Sequence, residues 1–439
     1  MTNTLLDVAS GVVAALAVSV AKRAAGSSAP STPRTRRHIN DLKNLPRSAA
    51  LSRLQRASEV VAPPNHPPES RFSPSALWEW VRNYLAYVFH KKHEFPEATK
   101  SPQRAIYDLL DENGQDRVRV ALAGDWGTGT DEAEAVAMHI QEFSPHFTIH
   151  IGDVYYVGDP PEVNENCLGV KNPNNNYDPV IWPFGSRGSF AMNGNHEMYA
   201  NGNGYFDIFL PRLGMRDAQG KMQGQQTSFF CLQNPHWCII AIDTGYNSIG
   251  VPILSHIPLI NSIPGIGGNC KLPEPLKEWL EELVANVIGK RGLVIMSHHQ
   301  PHSGFEGDYK KPGQQLWELG IRRSVLWFWG HEHRLAGYDL YGEGNLKCHG
   351  RCVGHGGMPV SRGAPTHTPL PIFYDDRLAA NGYGFNGHVN LSFDGPKLTA
   401  VYIDLTGNQL LREEWAVDGN GAVHPVSKQK LISDPDFHA

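Results

Sequence analysis

Seven side chains able to donate to a metal stand just after five apolar runs. The run 118–123 leads into Gly124-Asp125-Trp126-Gly127, and 147–151 into Gly152-Asp153-Val154-Tyr155-Tyr156. The run 188–192 leads into Asn193-Gly194-Asn195-His196-Glu197, 293–296 into Ser297-His298-His299, and 326–329 into Gly330-His331-Glu332-His333. Asp125, Asp153, Tyr156, Asn195, His298, His331 and His333 mix oxygen with nitrogen, which suits iron, manganese and zinc. If one carboxylate is shared, these groups serve two ions with about four bonds each and leave positions for water and substrate. A close ion pair activates water near neutral pH and neutralises the oxygens of an in-line phosphoryl displacement. A lone His-x-His is a weak signal, because surface turns carry it too. Five such ends in succession are a stronger one.

Strands with their carboxyl ends at one edge would position these groups, since ligands of open α/β sheets bind there. Each run is short and rich in Val, Ile, Leu, Phe or Trp, as buried strands are. Between the first two runs, Ala133, Val136, Ala137 and Ile140 fall on one face of a helix expected over 131–142. Strand, helix, strand favours a parallel pair joined by a right-handed crossover. Gly124, Gly127, Gly152, Gly194 and Gly330 beside the ligands would permit tight turns that bring the side chains inward. Strands are also expected at 227–232 and 237–242, around Asn234-Pro235. Helices are expected over 274–288, through Leu276, Leu280, Leu283 and Val287, and over 314–322. The segments 336–341, 389–393, 398–403 and 409–415 read as strands of an antiparallel edge or a second sheet.

Hydrophobic residues make up 41% of the 439, enough for one large domain with additions or for two. The net charge of −5 argues against a general polyanion binder, so no nucleic acid is expected beyond a possible substrate. None of the six cysteines forms a Cys-x-x-Cys pair, which argues against a zinc ribbon. Cys231 and Cys238 could face each other across a hairpin and Cys348 and Cys352 could close a small loop; free buried thiols are the alternative. The apolar run 11–21 is too short to span a bilayer. It also lacks preceding basic residues, so a cytoplasmic location is favoured over a secreted one and no transmembrane segment is expected. The domain reading is a flexible tail over 1–70, a helical extension packed on the core over 71–115, a catalytic domain over 116–418 and a C-terminal tail over 419–439. The extension would contain an apolar face through Leu77, Val81, Tyr84, Leu85 and Val88, and a second short helix over 103–110. Loops over 159–183, 250–268 and 304–312 would shape the pocket, the second reading as a lid or partner surface.

The succession Gly-Asp-Trp-Gly, Gly-Asp-Val-Tyr-Tyr, Gly-Asn-His-Glu, a strand ending in His298, and Gly-His-Glu-His resembles the calcineurin-like metallophosphoesterase superfamily. Gly127, where most members carry histidine, and Tyr156, three residues after Asp153, make it similar to the purple acid phosphatases. The likeness covers roughly 117–415 and lacks the fibronectin-like domain of the large plant enzymes. It implies an α/β fold, a four-layer α/β/β/α sandwich with mixed sheets, here with an N-terminal helical extension. It implies Fe(III) on Asp125, Tyr156 and His333, and Fe(II), Zn(II) or Mn(II) on Asn195, His298 and His331, with Asp153 bridging. His196 would face the phosphate and protonate the leaving alkoxide or stabilise its charge. The implied reaction is hydrolysis of a small phosphate ester by an activated water attacking in line. The first expectation is an acid phosphatase-like phosphomonoesterase; the alternative is a phosphodiesterase acting on nucleotides or phospholipid head groups. His298 is preferred over His299 as ligand because neighbours on a strand point to opposite faces. His299 and His302 read either as a shell around the phosphate or as a solvent-facing pair. His355 reads as a turn residue, and Glu197 as orienting the third motif.

Overall fold

A computed structural model describes residues 87, 90–101, 103–173, 178–249, 268–342, 345–379 and 382–439. The expected tail over 1–70, the apolar helix face at 77–88 except Tyr87, and nearly all of the 250–268 excursion lie outside these residues.

In chain order the strands are β1 (Ile106–Asp108), β2 (Val118–Ala123), β3 (Phe147–His150), β4 (Gly188–Ala191), β5 (Gly214–Met215), β6 (Phe230–Gln233), β7 (Trp237–Ala241), β8 (Gly292–Ser297), β9 (Val325–Trp329), β10 (Leu335–Tyr341), β11 (Cys348–Val353), β12 (Phe373–Asp375), β13 (Gly387–Asp394), β14 (Lys397–Asp404), β15 (Gln409–Val417), β16 (Val423–Lys430) and β17 (Phe437–His438). The helices are α1 (Asp131–Glu142), α2 (Pro160–Cys167), α3 (Asn195–Met198), α4 (Glu274–Asn286) and α5 (Lys310–Glu318). One sheet runs β16-β15-β14-β13-β2-β3-β4-β5, the other β1-β6-β7-β8-β9-β11-β10-β12-β17. Both are mixed: β2, β3 and β4 are parallel, as are β7, β8, β9 and β11.

The two sheets face each other. Val120, Leu122, Ile149 and Phe190 of the first share one buried core with Ile239, Val294, Trp327 and Phe328 of the second. Ala121 and Ala123 alternate onto the other face of β2, where Ala133, Val136, Ala137 and Ile140 of α1 cover them. Thr130 caps α1 by accepting from the Ala133 amide, and Asp131, Glu132 and Glu134 complement the positive end of its dipole. The apolar face of α4 (Leu276, Trp279, Leu280, Leu283) adds the remaining layer against the second sheet. Each such side chain contributes about 1.5–3 kcal/mol on burial. The result is the four-layer α/β/β/α sandwich.

Four expectations are corrected. The segment 103–110 contains strand β1 rather than a helix, with Ile106 opposite Cys231 in parallel register. Ala105, Tyr107 and Leu109 are buried while Asp108 is exposed, so the pattern has a period of two. The core therefore begins before 116. The helix expected over 314–322 is α5, which starts four residues earlier and ends at Glu318. Pro312 falls in its first turn, where a missing N–H costs little, and Gly320 (φ 101°) stops it. The C-terminal tail expected over 419–439 instead carries β16 on β15 and β17 on β12. Its polar sequence hid an edge strand, and Pro425 is tolerated there. Cys348 and Cys352 share strand β11, about 13 Å apart at strand rise, so they close no loop; all six cysteines are buried and free.

Candidate metal centre

The five expected strand ends converge. Asp125 follows β2, Asp153 follows β3, Asn195 opens α3 after β4, His298 follows β8, and His331 and His333 follow β9. Asp125, Asp153, Asn195, His298 and His331 are all buried. Their inward aim comes mainly from the ligands' own backbone. Asp125 (φ 57°), Asp153 (φ 71°) and His331 (φ 64°) all adopt the left-handed region, at about 1–3 kcal/mol each. Of the five glycines expected to make the turns, only Gly152 has a positive φ. Gly194 and Gly330 serve close approach instead. A Cβ at Gly194 would collide with Oδ1 of Asp153, and one at Gly330 would lie 2.6 Å from Oδ2 of Asp125.

The donors form two groups. In the first, Nε2 of His298 and Nδ1 of His331 lie 3.2 and 3.0 Å from Oδ1 of Asn195. His298 donates its other ring nitrogen to the Ile151 carbonyl at 2.8 Å, which leaves Nε2 for the centre. In the second, Nε2 of His333 lies 3.4 Å from Oδ1 of Asp125. Asp153 spans both, with Oδ1 3.2 Å from His298 and Oδ2 facing the second group.

The tyrosine of the second group is Tyr155. Its hydroxyl lies 2.8 Å from Oδ1 of Asp125, 3.1 Å from Oδ2 of Asp153 and 3.0 Å from Nε2 of His333. The expected Tyr156 packs beside Tyr155 and Met358. The main chain at Tyr155 is held on both sides. The Tyr155 amide donates to the Gly127 carbonyl at 2.9 Å, and its carbonyl accepts from Asn166 at 2.8 Å. The sequence signal was the Tyr155-Tyr156 pair itself, which offers two phenols where motif spacing selects the second.

His196 donates Nδ1–H to the Tyr156 carbonyl at 2.6 Å and turns Nε2 toward Oδ2 of Asp153, 3.8 Å away. Glu197 accepts from the Gly194 amide at 2.9 Å and the Asp153 amide at 3.2 Å, so it orients the third motif. His299 is buried, with Nδ1 3.0 Å from the Thr244 hydroxyl and its ring 4.6 Å from that of His331. His302 is neither solvent-facing nor among the donors. It sits edge-on to Trp329, Tyr338 and Tyr341 as a core side chain. His355 is a buried residue of the turn after β11, its carbonyl accepting from the Gly387 amide.

The electrostatics suit a cation. Burial raises the Asp125 carboxyl to about 6, with the Asp153 charge adding to the shift. Burial also works against ionised Asp153, yet His298, His196 and His331 outweigh it and hold that carboxyl well below its ordinary range. His298 is raised to about 10: burial opposes this, and Asp153, Asp125 and Glu197 overcome it. The cluster thus keeps its own positive charge, a role a metal ion fills. Donor atoms of Asp125, Asp153 and His298, and of His298, His299 and His331, lie within 4.8 Å of one another. The residues present fit metal ions.

A sequence profile of the calcineurin-like phosphoesterases matches residues 118–335, the stretch carrying all five ligand ends. The chain belongs to this family of phosphoric ester hydrolases, whose chemistry depends on divalent metal ions. No curated protein sequence matches the chain significantly. Among solved structures it is similar to purple acid phosphatase PPD1 from yellow lupin (Lupinus luteus) seeds, at 14% identity over 72% of this chain and 56% of that one, with a TM-score of 0.47. It is similar to GAP50, the anchor in the inner membrane complex of Plasmodium, at 13% identity over 73% and 90%, TM-score 0.42. For PhoD the values are 11%, 72%, 73% and 0.43. The chain thus spans little more than half the length of the lupin enzyme. Likenesses this distant carry nothing about substrate.

Proposed function

We propose that the protein hydrolyses small phosphate esters, phosphomonoesters first, at a centre of two metal ions. The carboxylate of Asp153 carries this reading, because its two oxygens face two different donor groups. Asp125, Tyr155 and His333 would hold one ion, and Asn195, His298 and His331 the other. The first group, with its phenol, suits Fe(III); the second suits Fe(II), Zn(II) or Mn(II). Bound there, the pair would supply an activated water and neutralise phosphoryl oxygens.

The chain's own residues do the rest. Asp153 fixes the spacing of the two halves. His196 spends Nδ1 on the Tyr156 carbonyl, so Nε2 is the atom left to meet the leaving oxygen, donating a proton or stabilising its charge. His299 supports the His331 half from Thr244. No helix among the described residues is long and apolar enough to cross a membrane.

Metal analysis paired with hydrolysis of p-nitrophenyl phosphate and bis(p-nitrophenyl) phosphate tests the proposal. Two ions per chain and faster monoester cleavage are expected. One ion or none, or no cleavage of either ester, overturns it, and faster diester cleavage transfers the activity to the phosphodiesterase reading. His331→Ala and His333→Ala should each lose a different ion; loss of the same ion from both would show that the division of ligands is wrong.

A further inference from the structure

The turn that carries Asn195 and His196 is gripped from outside the family-matched region. Residues 90–95 precede β1 and run along the loops beside α3. At one end of the turn, the His93 amide donates to the Asn201 carbonyl at 2.9 Å, and Asn201 donates its side-chain amide to the His90 carbonyl at 3.1 Å. The His93 ring stacks on Phe206 at 4.4 Å.

At the other end the grip is relayed through a buried carboxylate. Lys92 donates to the Tyr246 carbonyl at 2.5 Å, and its ammonium lies 3.6 Å from the centre of the Tyr246 ring. Tyr246 returns a hydroxyl bond to the His93 carbonyl at 2.7 Å, and its amide donates to Asp243 at 2.8 Å. Asn193 donates to both oxygens of Asp243 at 3.2 Å. The turn 243–246 also presses on this strand end: a Cβ at Gly245 would collide with the Asn193 carbonyl. Two residues beyond Asn193 lies Asn195.

We propose that residues 90–95 form a strap that holds the Asn195–His196 turn at both ends, with Lys92 and Asp243 as positioning residues for that half of the centre. Neither residue touches the donors. Their effect runs through Asn193 and through Asn201, which bracket α3. The assignment of Asn195 as a ligand rests on the function proposed above, whereas the strap's hold on the turn does not.

Lys92→Met keeps the aliphatic stem over Tyr246 and removes the ammonium; Lys92→Arg keeps a donor. Hydrogen exchange of the metal-free protein reads the strap directly. Lys92→Met should accelerate exchange at residues 195–201 about tenfold while β2 and β3 keep their protection, and Lys92→Arg should restore the slow rate. Calorimetric titration with Zn(II) should then show one of two binding steps weakened about tenfold in Lys92→Met and the other unchanged. Unchanged exchange at 195–201, or acceleration spread evenly over the molecule, overturns the strap. So does equal weakening of both binding steps. A wild-type protein that takes up no metal would remove the proposed function, while the exchange experiment would still decide the strap.

Discussion

At the scale of single residues, the centre is defined by which atoms face one another. Six of the seven expected residues lie together, and the phenol that meets Asp125, Asp153 and His333 is that of Tyr155, next to the expected Tyr156. The phenol of Tyr155 meets Asp125, Asp153 and His333, so its loss should matter where that of Tyr156 does not. Tyr155→Phe should abolish any visible phenolate charge-transfer band and weaken retention of one ion by about tenfold or more. Tyr156→Phe should leave both intact, because Tyr156 reaches His196 through its main-chain carbonyl, which the substitution preserves. Absorption spectra and metal content of the two variants check this; the opposite pattern would restore Tyr156 as the ligand. Glu332, between His331 and His333, turns away from the centre. Its carboxylate accepts from Trp329 at 3.0 Å and from Ser303 at 2.5 Å, which fixes the turn that separates the two histidines.

At the scale of elements, the two sheets are joined by a buried ion pair as well as by apolar packing. Arg351 on β11 meets Glu413 on β15 with two bonds of 2.7 Å, and Tyr402 on β14 donates to the same carboxylate at 2.7 Å. Arg351 also donates to the Tyr338 and Gly350 carbonyls, so its charge is fully engaged. Removing one member strands the other in the core, at about 3–5 kcal/mol. Glu413→Gln should therefore lower the denaturant midpoint substantially without changing metal content. A variant as stable as the parent would show that the clamp contributes little. The strand that carries Arg351 was not foreseen, since Cys-His-Gly-Arg-Cys-Val has no clear alternation and holds a buried charge. β2, β3, β8 and β9 were legible because burial on both faces demands continuous apolar runs.

At the scale of the molecule, neutral histidines are built into the interior. Burial pushes His302 and His388 down to about 3 and His355 to about 4 from an ordinary 6.5. Their folded-state values lie below the unfolded one, so the unfolded chain binds more protons below about pH 6.5. The stability they confer is present above that pH and is lost as pH falls toward 4, by up to about 1.4 kcal/mol per pH unit for each group. Buried carboxyls act in the opposite sense, since Asp125 and Asp243 are raised to about 6 and Glu332 to about 7, so the check is differential: the denaturant midpoint of the parent should lose ground to that of His388→Gln as pH falls from neutral to acid, and parallel profiles would contradict the burial of this ring in neutral form. An acid-active enzyme with this interior would work against its own stability.

The sequence by itself determined the strand–helix–strand unit and the order in which the candidate ligands arrive, because these rest on local patterns of unbroken apolar runs, one helical face and short motifs at strand ends; the family and the sandwich followed from the resemblance those motifs carry. Tertiary structure decided what depends on contacts between distant segments. It brought the Tyr155 phenol to Asp125, Asp153 and His333, on a main chain bonded to Gly127 and Asn166. It turned 106–108 and 423–430 into sheet edges, because β6 and β15 offer them free backbone partners. It moved His302 from the site to the core, among Trp329, Tyr338 and Tyr341. Periodicity encodes which face of an element is buried, and it carries no record of the neighbour that buries it.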